Sequence, residues 1–237
     1  MALLTATAPT SRLFLPDFLR AMAICLMLVF HTCFDLRYFQ WWDLKTAAPL
    51  IWRYLPNLIV SLFFMAVGFS LVLAHSPQVA WKKFFQRLLR IALGAGLISG
   101  VTYWYLPDNW IYFGTLHCIV LVSILGLPLR NLPQVSLMLA FIILTTDLGL
   151  HVSWPWWNLP HQSADYIPPL PWFSAVLSGI WLAHRPWSNW CPRALPHWVA
   201  STIKFLGRHA LLIYLLHQPL IFGIFALVDK LSGRTTG

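Results

Sequence analysis

The 237-residue chain is 59% hydrophobic and only 10% charged, with a mean hydropathy of +0.68. A soluble domain carries roughly a quarter charged residues, so this composition excludes a water-soluble globule and calls for a bilayer as solvent. The formal charge of +9 sits beside apolar spans and forms no soluble basic face, which argues for membrane topology and against a nucleic-acid partner.

A helix needs about 20 mainly apolar residues to cross the hydrocarbon layer. That length predicts seven spans in chain order, over 14–36, 50–74, 86–106, 112–129, 132–150, 168–184 and 206–228. Pro56, Pro77, Pro107, Pro133, Pro155, Pro160 and Pro186 mark most of the joints, and no repeat or low-complexity tract divides the chain. The reading is one all-α polytopic bundle occupying 1–237 as a single membrane domain. The first apolar run, Ala21 to Phe30, leads into His31, Cys33 and Asp35 without a small-residue cleavage pattern, so it is expected to stay as a signal anchor.

Lys and Arg favour a cytoplasmic N-terminus. With that orientation, Arg37, Lys45, Arg53, Lys230 and Arg234 lie outside, and the other basic residues, from Arg12 and Arg20 to Lys204 and Arg208, lie inside. The segment "HVSWPWWNLPHQSADY", 151–166, then falls outside as an aromatic interfacial loop or lid.

The first span holds "DFLRAMAICLMLVFHTCFDL", which places Arg20, His31 and Asp35 in lipid-soluble sequence. Eleven residues make three turns plus about 20°, so Arg20 and His31 share a helix face, separated by roughly 16 Å of rise. Asp35 follows His31 by four residues and joins that stripe. Ionisable groups within the bilayer cost about 2.5–3.5 kcal/mol each on insertion scales, so such a set is expected to face a partner or a wet passage. An aspartate four residues from a histidine can hold its tautomer and sharpen the other nitrogen as a proton acceptor. No protein nucleophile motif accompanies it, so the activated hydroxyl or amine is expected to belong to a substrate.

Further along, "WKKFFQRLLRIALG" carries Arg87 and Arg90 at i,i+3 spacing, where guanidinium forks suit phosphate oxygens. "YFGTLHCIVL" places His117 near the outer level, and "LLIYLLHQPLIF" places His217 before Pro219 in the last span. Taken singly, these two histidines read first as helix–helix hydrogen bonders. All seven acidic residues are aspartates, Asp165 among them. The four cysteines show no CxxC or Cys/His metal spacing, and no metal is expected.

The ordered segments resemble the membrane acyltransferase-3 superfamily, and within it the bacterial proteins related to heparan-α-glucosaminide N-acetyltransferase. The likeness rests on "DFLRAMAICLMLVFHTCFDL", "LFFMAVGFSL", "QRLLRIALG", "YFGTLHCIVL", "DYIPPLPWFSAVLSGI" and "LGRHALLIYLLHQPLI". It implies a multi-pass enzyme of the bacterial inner membrane that moves an acyl group, usually acetyl from acetyl-CoA, to a hydroxyl or amine of a sugar or other envelope acceptor. Carried onto this chain, His31 would be the catalytic base or acyl-handling residue, and Asp35, by its spacing, is expected to hold it. Arg20, Arg87 and Arg90 would hold the acyl-CoA, and His117, Asp165 and His217 would help bind the acceptor. The chain departs from the lysosomal enzyme in the loop after the first span, "LRYFQWWDLKTAAP", which contains no histidine. The alternative reading is a transporter or translocation helper using the same polar stripe as a substrate or proton path.

Overall fold

The computed structural model describes residues 14–42, 49–150, 156, 162–189 and 195–232. Among these residues the chain is helical, with no strands. The α-helices are α1 (Phe14–Tyr38), α2 (Pro49–His75), α3 (Trp81–Tyr105), α4 (Thr115–Gly126), α5 (Pro133–Leu144), α6 (Pro169–Ala183), α7 (His197–Arg208) and α8 (Ala210–Leu231). Arg12, Asp43, Lys45, Cys191, Arg193, Arg234 and most of the 151–166 segment lie outside the described residues.

Among the described residues, four helices are long and apolar enough to cross a membrane: α1, the Trp52–His75 part of α2, α3 and α8. The other three predicted spans are shorter. α4 and α5 have 12 residues each and α6 has 15. At 1.5 Å per residue these give roughly 18–23 Å of helix, against about 30 Å of hydrocarbon. The sequence windows had included residues that the chain spends on turns. Pro128 opens a 3-10 turn after α4, and the end of α5 widens into a π turn at Thr145–Gly149.

The last predicted span also needs adjustment. His209 breaks the helix, so an amphipathic α7 precedes α8. Val199, Ile203 and Leu206 lie on one side of α7 at helical spacing. Gly207 lets α7 press against α1, because a Cβ there would overlap the Asp17 backbone.

The core forms where α2 and α6 cross, with Phe64, Phe69, Leu71, Val122, Leu177 and Ile180 sealed around them. Two small residues permit this crossing. A Cβ on Gly68 would strike the Val176 carbonyl, and one on Gly179 would strike the Met65 carbonyl. Close backbone approach at small residues is the usual way helices associate where lipid removes the hydrophobic drive. α1 packs on α2, α7 and α8, while α3 rests on α4 and touches α8.

Helix α8 is inverted relative to a helix of a soluble protein. Its buried residues are His217 and Asp229, while Leu212, Leu216, Leu220, Ile224 and Leu227 are exposed. Apolar side chains face lipid at no cost, whereas ionisable ones must turn toward protein.

Candidate functional site

Two polar levels form around α1. At the Arg20 end, Arg20 donates to Asp17 Oδ1 at 3.2 Å and to the Ser70 hydroxyl on α2. Arg87 of α3 lies close enough for the two guanidinium groups to repel, and its Nη1 is buried with no hydrogen-bond partner. His75, 1% exposed at the end of α2, faces Arg87, Arg130 and Lys83, and its Nδ1 is unpartnered. Arg130 is already committed, donating to the carbonyls of His75, Leu127 and Pro77. Arg90 is exposed on α3, outside the Arg20–Arg87 cluster. This level therefore concentrates positive charge with unused donor capacity, an arrangement suited to an anion.

The second level joins α1 to α8. The rings of His31 and His217 meet edge to face with centroids 4.6 Å apart. His217 Nδ1 lies 2.7 Å from the Tyr214 carbonyl, while its Nε2 is buried without a partner. His31 Nδ1 is likewise buried and unpartnered. Asp35 is fully buried, and its Oδ1 accepts a hydrogen bond from Gln218 Nε2 at 3.0 Å. No hydrogen bond joins Asp35 to His31, so the expected direct pair is corrected: the carboxylate holds Gln218, and the amide of Gln218 is what lies beside His31. The i,i+4 spacing puts both side chains on one face, but an amide from a neighbouring helix reaches the carboxylate first.

Asp165 gathers this level from the other side. Its Oδ2 accepts from the Thr115 N–H at 2.9 Å and from the Tyr214 hydroxyl at 3.2 Å, and its Oδ1 accepts from the Thr115 hydroxyl at 3.1 Å. The carboxylate thus satisfies an orphan donor at the start of α4 and fixes that end to α8. Gly114 must be glycine, because a Cβ would collide with Asp165 Oδ2. Burial raises the Asp165 carboxyl above its ordinary value, and the Thr115 and Tyr214 donors offset only part of that.

His117 is engaged at both nitrogens. Gly114 N–H donates to Nδ1 at 3.2 Å, so the remaining proton sits on Nε2, which lies 3.2 Å from the Ser99 hydroxyl. Ser99 in turn donates to the Ile111 carbonyl. His117 thereby caps α4 and ties it to α3. The bland sequence reading of His117 as a helix–helix hydrogen bonder describes this geometry.

Apolar side chains lie between the two levels on α1. Ile24 and Met27 lie on the same face of α1 between Arg20 and His31, and they are 0% and 3% exposed. The polar stripe seen in the sequence is therefore interrupted by an apolar layer. A shallow cavity of about 450 Å³ opens instead along α3, lined by Phe85, Gln86, Leu88, Leu89 and Ala92.

Sequence reasoning missed Ser70, His75, Tyr214 and Gln218. His75 was visible as an ionisable residue closing an apolar run. Gln218 carried a weaker signal, an amide beside His217 in a lipid-facing helix. Nothing in the sequence pairs Ser70 with Arg20 across 50 positions.

The fold and its two buried polar levels define a polytopic helical membrane protein with an ionisable site inside the bundle. The family model described as heparan-alpha-glucosaminide N-acetyltransferase, catalytic, matches residues 12–219, and the chain belongs to that family of membrane acetyltransferases. No curated protein and no solved structure matches the chain.

Proposed function

We propose that the protein is a multi-pass enzyme of the bacterial inner membrane that moves an acetyl group from acetyl-CoA to a hydroxyl or amine of a sugar or other envelope acceptor. The observation that carries this reading is the His31–His217 pair, two touching imidazoles each with a buried, unpartnered nitrogen, in a chain of this family. An imidazole lone pair in reach of an acceptor O–H or N–H takes its proton as the oxygen or nitrogen attacks the thioester carbonyl. The carbon–sulfur bond then breaks, and the CoA sulfur leaves as thiolate and takes up a proton.

The whole of 1–237 acts as one domain, with the N-terminus in the cytoplasm and seven helical passages through the bundle. In this orientation the Arg20 level faces the cytoplasm, where acyl-CoA is found. Arg20 and Arg87, with Arg90 at the rim, hold the CoA phosphates, and His75 adds a further group. Asp165 and His117 keep the acceptor side in shape, and His31 and His217 face the reacting atoms. The acyl-bearing tail reaches the pair when the Ile24–Met27 layer parts. Transfer is better supported than a transport path along α1 because the chain belongs to a family of acetyltransferases.

The test uses purified protein in liposomes with labelled acetyl-CoA and extracted envelope glycans. Label should appear in an acceptor with the wild type and not with folded His31→Ala. Flux of an acceptor without any CoA, or no label transfer by the wild type, would overturn the assignment; full transfer by His31→Ala would remove His31 from the reaction and leave the assignment standing.

A further inference from the structure

We propose that His217, on α8, is the base that takes the acceptor's proton, through Nε2, with His31 as the second imidazole of a paired site. This rests on the acyl-transfer reading above and assigns its central proton step.

The argument begins with what a carbonyl can do. A backbone carbonyl only accepts, so at 2.7 Å from the Tyr214 oxygen the His217 Nδ1 must carry a hydrogen. In the neutral ring the lone pair then belongs to Nε2, and that nitrogen is buried and unpartnered. Its tautomer is thus set by the fold before any substrate arrives. His31 is held differently: the Gln218 side chain lies beside its ring, and its Nδ1 has no partner.

The carbonyl that orients His217 is itself anchored. Tyr214 hydrogen-bonds Asp165 through its hydroxyl, and Asp165 is fixed by Thr115 at the head of α4. The next residue, Gln218, is fixed to Asp35 on α1. His217 therefore stands between two tethers on one stretch of α8, and its ring is held against His31. Two imidazoles in ring contact, each with a buried nitrogen that has no partner, leave hydrogen-bonding capacity unused, which a protein of this kind retains where a polar substrate atom supplies the missing partner. An acceptor hydroxyl or amine placed between the rings would donate to Nε2 of His217, and its proton would pass there as the new bond to the acyl carbon forms.

The experiment has two arms on the full chain in liposomes. In the first, nitrogen-15 spectra of histidine-labelled protein, assigned by loss of one signal set in His217→Gln, should show His217 protonated at Nδ1 and bare at Nε2. A proton on Nε2 in the resting protein overturns the proposal. In the second, acetyl transfer by His217→Gln should fall about 100-fold or more in kcat, the range a general base supplies, while KM for acetyl-CoA changes less than twofold. Transfer at the wild-type rate by His217→Gln removes the base assignment and leaves the acyltransferase reading standing. Absence of transfer by the wild type with every envelope acceptor removes both.

Discussion

Gln218 of α8 donates to the buried carboxylate of Asp35 on α1 at 3.0 Å, across 183 positions of sequence. This bond places the amide next to His31 and holds α8 in register with α1 at the level of the imidazole pair. Removing the amide leaves the Asp35 carboxylate buried with no partner at either oxygen, because Oδ2 is already unsatisfied. Gln218→Leu should cost about 1–3 kcal/mol of stability for the stranded acceptor. Adding Asp35→Leu to Gln218→Leu should recover much of that loss. Thermal unfolding in detergent measures both, and equal stability of the single variant and the wild type would contradict the bond's role.

The Ile24–Met27 layer gives a second prediction. If the acyl-bearing tail must pass it, a bulkier side chain should slow transfer without touching the CoA end. Met27→Phe should lower kcat about tenfold while CoA affinity, read by calorimetry, stays within twofold. An unaffected rate would show that the tail takes another route.

Arg87 offers a test that separates binding from stability. Its Nη1 has no partner and its charge is repelled by Arg20, so the guanidinium is a burden to the empty protein. Arg87→Met should leave the unfolding temperature of the CoA-free protein unchanged or raised, since replacing an uncompensated buried charge by an apolar chain is often neutral or stabilising. CoA affinity should fall about tenfold or more, equivalent to about 1.4 kcal/mol. Arg90→Ala, at an exposed position, should weaken CoA by less. Raised salt should narrow the difference between wild type and Arg87→Met.

Asp165 should give a measurable pH dependence. Its carboxyl is raised in the folded protein chiefly by burial, so the folded state holds that proton more tightly than the unfolded chain does. Its stabilising contribution is full below the unfolded value, near 3.9, and is lost as pH rises through the raised folded value. As pH rises from about 4 through the raised folded value, the wild type should therefore lose stability relative to Asp165→Asn, whose side chain does not titrate. Parallel pH profiles for the two proteins would rule out a raised Asp165.

Much of this protein could be read from its residues alone. An apolar chain with so few charges reads as membrane-bound, and its long unbroken apolar runs read as helices, which satisfy their own backbone groups in hydrocarbon, where a barrel would show short alternating strands. The cost of ionisable groups in lipid marked Arg20, His31, Asp35, His117 and His217 as facing inward, and the order of segments pointed to the family that the matched residues 12–219 define. Helical spacing, however, reports only which residues share a face, not which side chains from other helices arrive there. The crossing of α1 with α8 delivered Gln218 to Asp35 and His217 to His31. The capping of α4 absorbed His117 and Asp165 into structural bonds. Ile24 and Met27 looked like ordinary lipid-soluble residues in sequence, and only packing turned them into a barrier between the two polar levels. Partners, barriers and tautomers depend on contacts between distant segments, and those are set by how the helices pack in three dimensions.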